Sequence, residues 1–572
     1  MFDTASASNG VKFALLERRL LAREIDRASF VTRAADLGLP AAAVAEAADK
    51  FIAIEANQAT LRSALKSSYD YIVIGSGASG SVVARRLAEN RNVHVLLLEA
   101  GGEDLKPGIL ITETWFFNQG TDVDWNFAAE SSANVNNRSI AQAAGKALGG
   151  GTSINGMVWA RGHKNDFDHW ARAAGDEAWG YQHILDIYRR IEDWQGVADP
   201  HRRGRGGEVF VQPARDPSPL ASAFLQAAEA LGYPIFDDMN GILLEGAGGG
   251  AITNVRIRND RRLNTPASYL YPVMDQDNLT VLTGAYVNRL TMEGDVVTGV
   301  EFEWNGHVRI ITASGEVVLS AGALQTPKLL MLSGIGDRTQ LARFDIPTVV
   351  HLPGVGQNLQ DHPIIAAGLW EAHWPLPMRN NSAEANLLIK SSLELETPDL
   401  HIWNIEGPYL SDVTGRHVAE NTWSISPGPV RPESRGTVEL QSSDPRVAPK
   451  IHANMLRDPR DLAALRTAME IARELGNSEA MKPFVKREVL PGPLTGEALD
   501  NLIRDGATSM HHPTGTAKMG QDSLSVVDAQ LRVYDTKNLR IADGSIMPRV
   551  TTGNTQAPCV IIGERMAEIL KA

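Results

Sequence analysis

The segment from Tyr71 to Glu99 constrains this chain more than any other. Tyr71-Ile72-Val73-Ile74 reads as a short buried strand. It runs straight into Gly75-Ser76-Gly77-Ala78-Ser79-Gly80, then a helical stretch through Leu87. Val93 to Leu98 is a second apolar strand, closed by Glu99. Strand, glycine turn, helix, strand and acid make a βαβ unit of about 30 residues. Gly75 permits the tight turn, Gly77 lets backbone approach a pyrophosphate, and Gly80 lets the helix pack on the strand. The helix N-terminus presents free N–H groups to phosphate. Ser79 lies in the turn beside that terminus, and Glu99 stands where an acid accepts from ribose hydroxyls. The unit predicts a bound dinucleotide, without choosing between NAD and FAD.

Composition narrows the remaining classes. The 572 residues are 43% hydrophobic and 22% charged, ordinary globular usage for several domains' worth of chain. Acidic residues number 68 against 55 basic ones, a net charge of -13, so no nucleic-acid partner is expected. The single cysteine, Cys559, excludes a disulfide within the chain and a cysteine metal cluster. No His, Asp and Glu spacing suggests a metal site, so none is expected. No run of 18 apolar residues offers a transmembrane segment. Arg18-Arg19 is followed by charges where an export signal needs an apolar run, which points to a cytoplasmic protein. Residues 11–66 carry helical periodicity with one break, at Gly38-Leu39-Pro40. We expect this extension to pack on the main body or on a neighbouring subunit, the latter giving a homo-oligomer. Further strands are expected at Leu279–Leu282, Gly299–Glu303 and Val317–Leu319. Alternation near Leu400–Ile405 and Thr437–Gln441 suggests a second, antiparallel sheet.

A second glycine cluster runs from Gly145 through Gly149-Gly150-Gly151-Thr152-Ser153-Ile154-Asn155-Gly156-Met157-Val158 to Gly162. Gly322-Ala323-Leu324-Gln325-Thr326-Pro327 and Leu352-Pro353-Gly354-Val355-Gly356 follow, the latter reaching Asp361-His362. His512-Pro513-Thr514-Gly515-Thr516, Asn538 to Pro548 and Asn554-Thr555 complete the series. In these motifs and their order the chain resembles the glucose–methanol–choline (GMC) family of FAD-dependent oxidoreductases. The resemblance implies an α/β protein: a doubly wound FAD-binding domain at 67–159, 239–358 and 506–572, and a discontinuous antiparallel-sheet substrate-binding domain at 160–238 and 359–505. Residues 1–66 are then a helical N-terminal extension.

By the same resemblance, Gly75, Gly77, Gly80 and Glu99 serve the adenosine and pyrophosphate of FAD. Gly149, Gly150 and the run Asn155, Gly156, Met157 and Val158 follow the pyrophosphate, ribityl chain and flavin. Val287 faces the adenine, and Asp543 and Gly544 meet the ribityl or phosphate region, with Thr555 beside Asn554. Some members bind FAD covalently through a histidine just before that asparagine. Here the position is Ile154, so non-covalent FAD is expected.

The implied reaction is oxidation of an alcohol, primary and aryl or furanyl in our reading, to the aldehyde. The hydroxyl proton must go to a base and the hydride to the flavin. His512, directly before Pro-x-Gly-Thr, matches the family's base, and an imidazole of ordinary pKa about 6.5 suits it. Asn554 matches the partner position and can donate a hydrogen bond but exchanges no proton. His511 either walls the flavin's reactive side or packs. Trp403, on one strand face with His401 and Ile405, is a core residue or a wall of the substrate pocket. His163, His169 and His362 read as solvated or structural. Oxygen or a quinone- or dye-type acceptor would reoxidise the flavin. A hydroxynitrile lyase using the same base is the alternative, since such lyases occur in the family.

Overall fold

The computed structural model describes residues 7–571. The strand Ser68–Ile74 lies between Val95–Glu99 and His307–Leu319, parallel to both. Leu279–Thr283 adds to the outside of Val95–Glu99, also parallel. Ile72, Val73 and the strand from Val95 to Leu97 are wholly buried, as parallel strands covered on both faces must be. The other edge of His307–Leu319 serves two further partners along its length. Its C-terminal part pairs in parallel with Leu539–Ile541, and its N-terminal part forms an antiparallel hairpin with Val296–Trp304. The helix Ala78–Ala88 springs from the glycine turn and packs along the C-terminal helix Gln556–Lys571. Gly75 has φ +96°, and a Cβ there would meet the Ser320 carbonyl oxygen at 2.3 Å, so only glycine makes this turn.

The second sheet has six strands, all antiparallel. Their order is Arg487–Leu490, Leu369–Glu371, Thr422–Pro429, Leu400–Ile405, Ala385–Ile389 and Gly249–Ile252. One face, including Leu387, Leu400, Ile402, Trp423 and Ile425, packs on helices Pro219–Ala230 and Pro459–Gly476. On the opposite face His401, Trp403 and Ile405 alternate with them, and Trp403 and Ile405 look into the cleft between the sheets. The α/β architecture with this second sheet is that of the expected fold class.

Three expectations need correction. Thr437–Glu439 does not join the second sheet but pairs with Lys450–His452 alone, because the chain turns back within ten residues or so. Gly249–Ile252 lies in the 239–358 segment assigned above to the nucleotide part, yet it hydrogen-bonds to Ala385–Ile389 in the antiparallel sheet. The N-terminal extension forms three helices, Asn9–Leu21, Arg27–Ala35 and Ala41–Ser63. The unforeseen break is capped by Asp26, whose side chain accepts from the Ser29 N–H at 2.7 Å.

The third of these helices lies against the outer edge of the main sheet. Gln58, buried, donates to the carbonyls of Met274 and Leu279 at 2.8 Å and accepts from the Val281 N–H at 3.0 Å. Arg62 Nε donates to the Val281 carbonyl at 3.0 Å. Side chains thus satisfy outward-facing groups of the edge strand Leu279–Thr283 that a neighbouring strand would otherwise take. Among the described residues no helix is long and apolar enough to cross a membrane.

Candidate active site

A cleft of about 830 Å³ runs between the two sheets, from the first glycine turn to His512 and Asn554. At one end Gly77 begins the helix Ala78–Ala88 with no side chain capping its N–H groups, and a Cβ on Gly77 would meet nothing within 4 Å. Space, free donors and a positive helix end therefore coincide there. Glu99 stands beside them, buried. Its Oε2 accepts from the Ser76 N–H at 3.0 Å and the Ser76 hydroxyl at 2.6 Å, and its Oε1 from the Gly101 N–H at 2.8 Å. Burial raises its carboxyl above the usual range, against the pull of those donors. Asp543 accepts from the Gly322 N–H at 2.9 Å, the Thr326 hydroxyl at 2.6 Å and the Ser545 N–H at 2.8 Å.

The cleft brings most of the expected cofactor residues together. Gly75, Gly77, Ser79, Glu99, Gly150, Asn155, Gly156, Val158, Val287, Asp543, Gly544, Asn554 and Thr555 all line it. Three do not, and packing explains each. A Cβ on Gly80 would come within 1.9 Å of the Gly75 carbonyl oxygen, so Gly80 lets helix and turn touch. Gly149 has φ +92°, gives its N–H to the Ser76 hydroxyl at 2.9 Å and lies against Pro266. The Met157 side chain is buried away from the cleft with Ala214, Val255 and Ile257.

Asn155 is the most connected of the set. Its Oδ1 accepts from the Met157 N–H and from Arg262, and its Nδ2 donates to Gln556 at the start of the C-terminal helix. Glycine cradle, open helix end and paired acids fit an FAD dinucleotide in size and donor set.

His511 and His512 face the other end of the cleft and have different surroundings. His511 sits at φ +60°, in the left-handed region. Its Nδ1 accepts from the Ala143 N–H at 3.1 Å. Burial holds the ring near pKa 4, so it is neutral and, with Nδ1 accepting, its one proton belongs on Nε2; that nitrogen lies 3.1 Å from Gln119 Nε2, so the Gln119 amide must turn its oxygen inward to accept it. No basic lone pair is left over. The His512 backbone N–H donates to Asp361 at 2.9 Å, and the same carboxylate takes the Ser509 hydroxyl. The His512 Nε2 lies 3.4 Å from Asn554 Nδ2, and its Nδ1 lies 3.0 Å from His362 Nδ1. Burial, with His362, His511 and His401 around it, pushes His512 well below its ordinary value. The arrangement can take a proton at Nε2 and offer a hydrogen-bond donor to the oxygen that loses it.

Trp403, buried, lines the cleft with Trp115, Phe116, Tyr409 and Met510. Sequence reasoning gave Asp361 no role and read His362 as solvated or structural; the structure buries His362 against His512. Sequence reasoning also passed over the aromatic run Trp115-Phe116-Phe117. His163 instead caps the helix Lys164–Ala174. Among the described residues no group of His, Cys, Asp and Glu is placed to hold a metal ion.

Comparison with known proteins decides the family. A GMC oxidoreductase N-terminal model matches residues 69–364 and a C-terminal model matches 432–563. The chain belongs to the GMC oxidoreductase family. The mitochondrial choline dehydrogenase of Mus musculus is 36% identical over 544 residues, covering 88% of this chain and 90% of that one. The oxygen-dependent choline dehydrogenase of Brucella suis biovar 1 is 35% identical, covering 87% and 95%. The crystal structure of pyridoxine 4-oxidase from Mesorbium loti superposes with a TM-score of 0.83 at 32% identity, covering 87% and 98%. As a GMC oxidoreductase the chain is an FAD-dependent alcohol oxidoreductase. The N-terminal model begins at residue 69, so the three helices of the extension lie outside both matched segments.

Proposed function

We propose that this GMC oxidoreductase oxidises an uncharged primary alcohol, aryl or furanyl, to its aldehyde, with His512 as the base and FAD held non-covalently. The observation that carries the reading is His512 Nε2 facing Asn554 in a cleft continuous with the glycine cradle. FAD, when bound, supplies the acceptor for the hydride and its two electrons. His512 takes the hydroxyl proton at Nε2. The Asn554 amide donates to the substrate oxygen as negative charge grows there. Gly75, Gly77, Glu99, Gly150, Asn155, Val158 and Asp543 would hold the cofactor.

Two observations support the substrate class. The wall near His512 is aromatic and apolar, and Trp403 belongs to it. Among the described residues lining the cleft, the carboxylates are Glu99 and Asp543, both occupied by donors at the cofactor end. A quaternary ammonium substrate would find no carboxylate lining the cleft at the base, Asp361 lying behind His512 and taking its backbone N–H, which separates this cleft from what the choline dehydrogenases' names say of them. Ile154 supports dissociable FAD, since an alkyl side chain forms no bond to the flavin. The lyase alternative is not favoured: the named relatives are dehydrogenases and an oxidase.

The test is a panel of aryl, furanyl and aliphatic alcohols and choline, run with oxygen and with an artificial dye. The protein should be yellow, acid denaturation should release FAD, and an aryl alcohol should bleach the flavin without oxygen. Bleaching by choline alone would reject the substrate class. Colour unchanged by every alcohol would reject the oxidation. Flavin that stays with the acid precipitate would reject the non-covalent link.

A further inference from the structure

We propose that His362 is a positioning residue that fixes His512 in the tautomer with its proton on Nδ1, leaving the Nε2 lone pair aimed at Asn554 and the substrate. This rests on the reading of His512 as the base.

The two rings meet edge to face, with Nδ1 of His362 3.0 Å from Nδ1 of His512. That is hydrogen-bond distance, so one nitrogen donates and the other accepts. Both rings are buried, and burial pushes His362 down to about 4 and His512 well below its ordinary value. Both are therefore neutral near pH 7, and each carries a single N–H. The groups facing the pair keep it so. His401 and His511 are themselves neutral, at about 3 and about 4. Asp361, raised to about 6 by burial, spends its oxygens on the Ser509 hydroxyl and the His512 backbone N–H. Asp166 acts on His362 only from a distance, and its own oxygens bind Arg431 and the Thr552 N–H.

Two arrangements satisfy the contact. If His362 donated, His512 would accept at Nδ1 and carry its proton on Nε2. That proton would point at the Asn554 Nδ2 donor 3.4 Å away, and no lone pair would face the cleft. If His512 donates, its Nε2 lone pair meets the Asn554 N–H, and His362 carries its own proton on Nε2. The Val430 backbone favours the protonated His362 ring, while Nε2 of that ring is buried without a hydrogen-bond partner, so the second arrangement leaves that one N–H unpaired. Only the second arrangement leaves His512 able to act as a base. When His512 takes the substrate proton and becomes an imidazolium, the same Nδ1–H keeps its acceptor. The other ring nitrogen of a functional histidine is set by just such a partner.

The test uses the FAD-loaded protein labelled with ¹⁵N-histidine, the His512 signals being assigned by their loss in His512→Asn. The expected spectrum has a protonated Nδ1 and an unprotonated Nε2 on His512 in the resting state. His362→Leu should lose that pattern and slow flavin reduction on the order of 10²-fold, short of the ~10⁴ that a wrong tautomer costs a histidine base elsewhere. FAD content and the substrate KM should stay near wild type. His362→Gln, whose carbonyl can accept from Nδ1–H, should recover much of the rate. A wild-type His512 protonated on Nε2 overturns the proposal, and so do equal rates for the Leu and Gln variants. If no alcohol reduces the flavin, the proposed oxidation fails, while the nitrogen spectrum still decides the tautomer.

Discussion

His511 and His512 are neighbours in sequence and opposites in chemistry. The first spends its lone pair on the Ala143 N–H, and the second keeps one toward Asn554. His512→Ala should therefore slow flavin reduction by about 10²–10⁴-fold, the usual contribution of a positioned base. FAD content should barely change. His511→Ala should slow the same step far less, as stopped-flow absorbance would measure. Burial favours the neutral ring, which is the form that accepts a proton. The rate should then be level through neutral pH and fall only on the acid side of the ordinary histidine value of about 6.5. The motif around His512 made it legible as a candidate from sequence. The contribution of His362 was not legible, because the contact joins residues far apart in the chain and depends on which nitrogen meets which.

Elements were legible where local chemistry dictates them. The turn at Gly75 needs a positive φ that glycine supplies, and Leu400–Ile405 alternates in sequence as it alternates between helices and cleft. The break before Arg27 was missed because apolar spacing continues across it, although the pair Asp26 and Ser29 is a capping signal. Strand partners such as Gly249–Ile252 with Ala385–Ile389 are set by long-range pairing that no local pattern contains. The same sheet holds a second ionisable device. Glu406 lies against Glu384 where the helix Pro219–Ala230 begins, and both bind Ser218, Glu384 through its N–H and Glu406 through its hydroxyl. Burial first, then the neighbouring Glu384, raises Glu406 to about 9. A carboxyl raised in the folded state destabilises progressively as pH climbs from its unfolded value of about 4.3, and levels off above the folded value. Glu406→Gln removes that titration and keeps a donor. Its melting temperature should exceed that of wild type by a margin that widens toward pH 9, as scanning calorimetry across pH would reveal. A constant margin would mean that the pair does not share a proton.

At the scale of the molecule, two sheets of different type face one another and the cleft is the gap between them. The family resemblance implied a doubly wound sheet and an antiparallel one, and the two sheets are of those types. The family motifs were silent on the three N-terminal helices, which carry no motif and fall outside the family models. Their contact with the edge strand Leu279–Thr283 is nonetheless specific. Removing residues 1–63 strips Gln58 and Arg62 from the Leu279 and Val281 backbone. The edge groups so uncovered face water and stand open to a strand from elsewhere. The truncated protein should scatter more light as its concentration rises, with Gln58→Leu intermediate between it and the full chain. What replaces the helix is the nearest available backbone, and at high concentration that belongs to another molecule of the same kind. A glutamine that mimics a missing strand thus acts as a terminator, ending a sheet that could otherwise be extended from one molecule to the next.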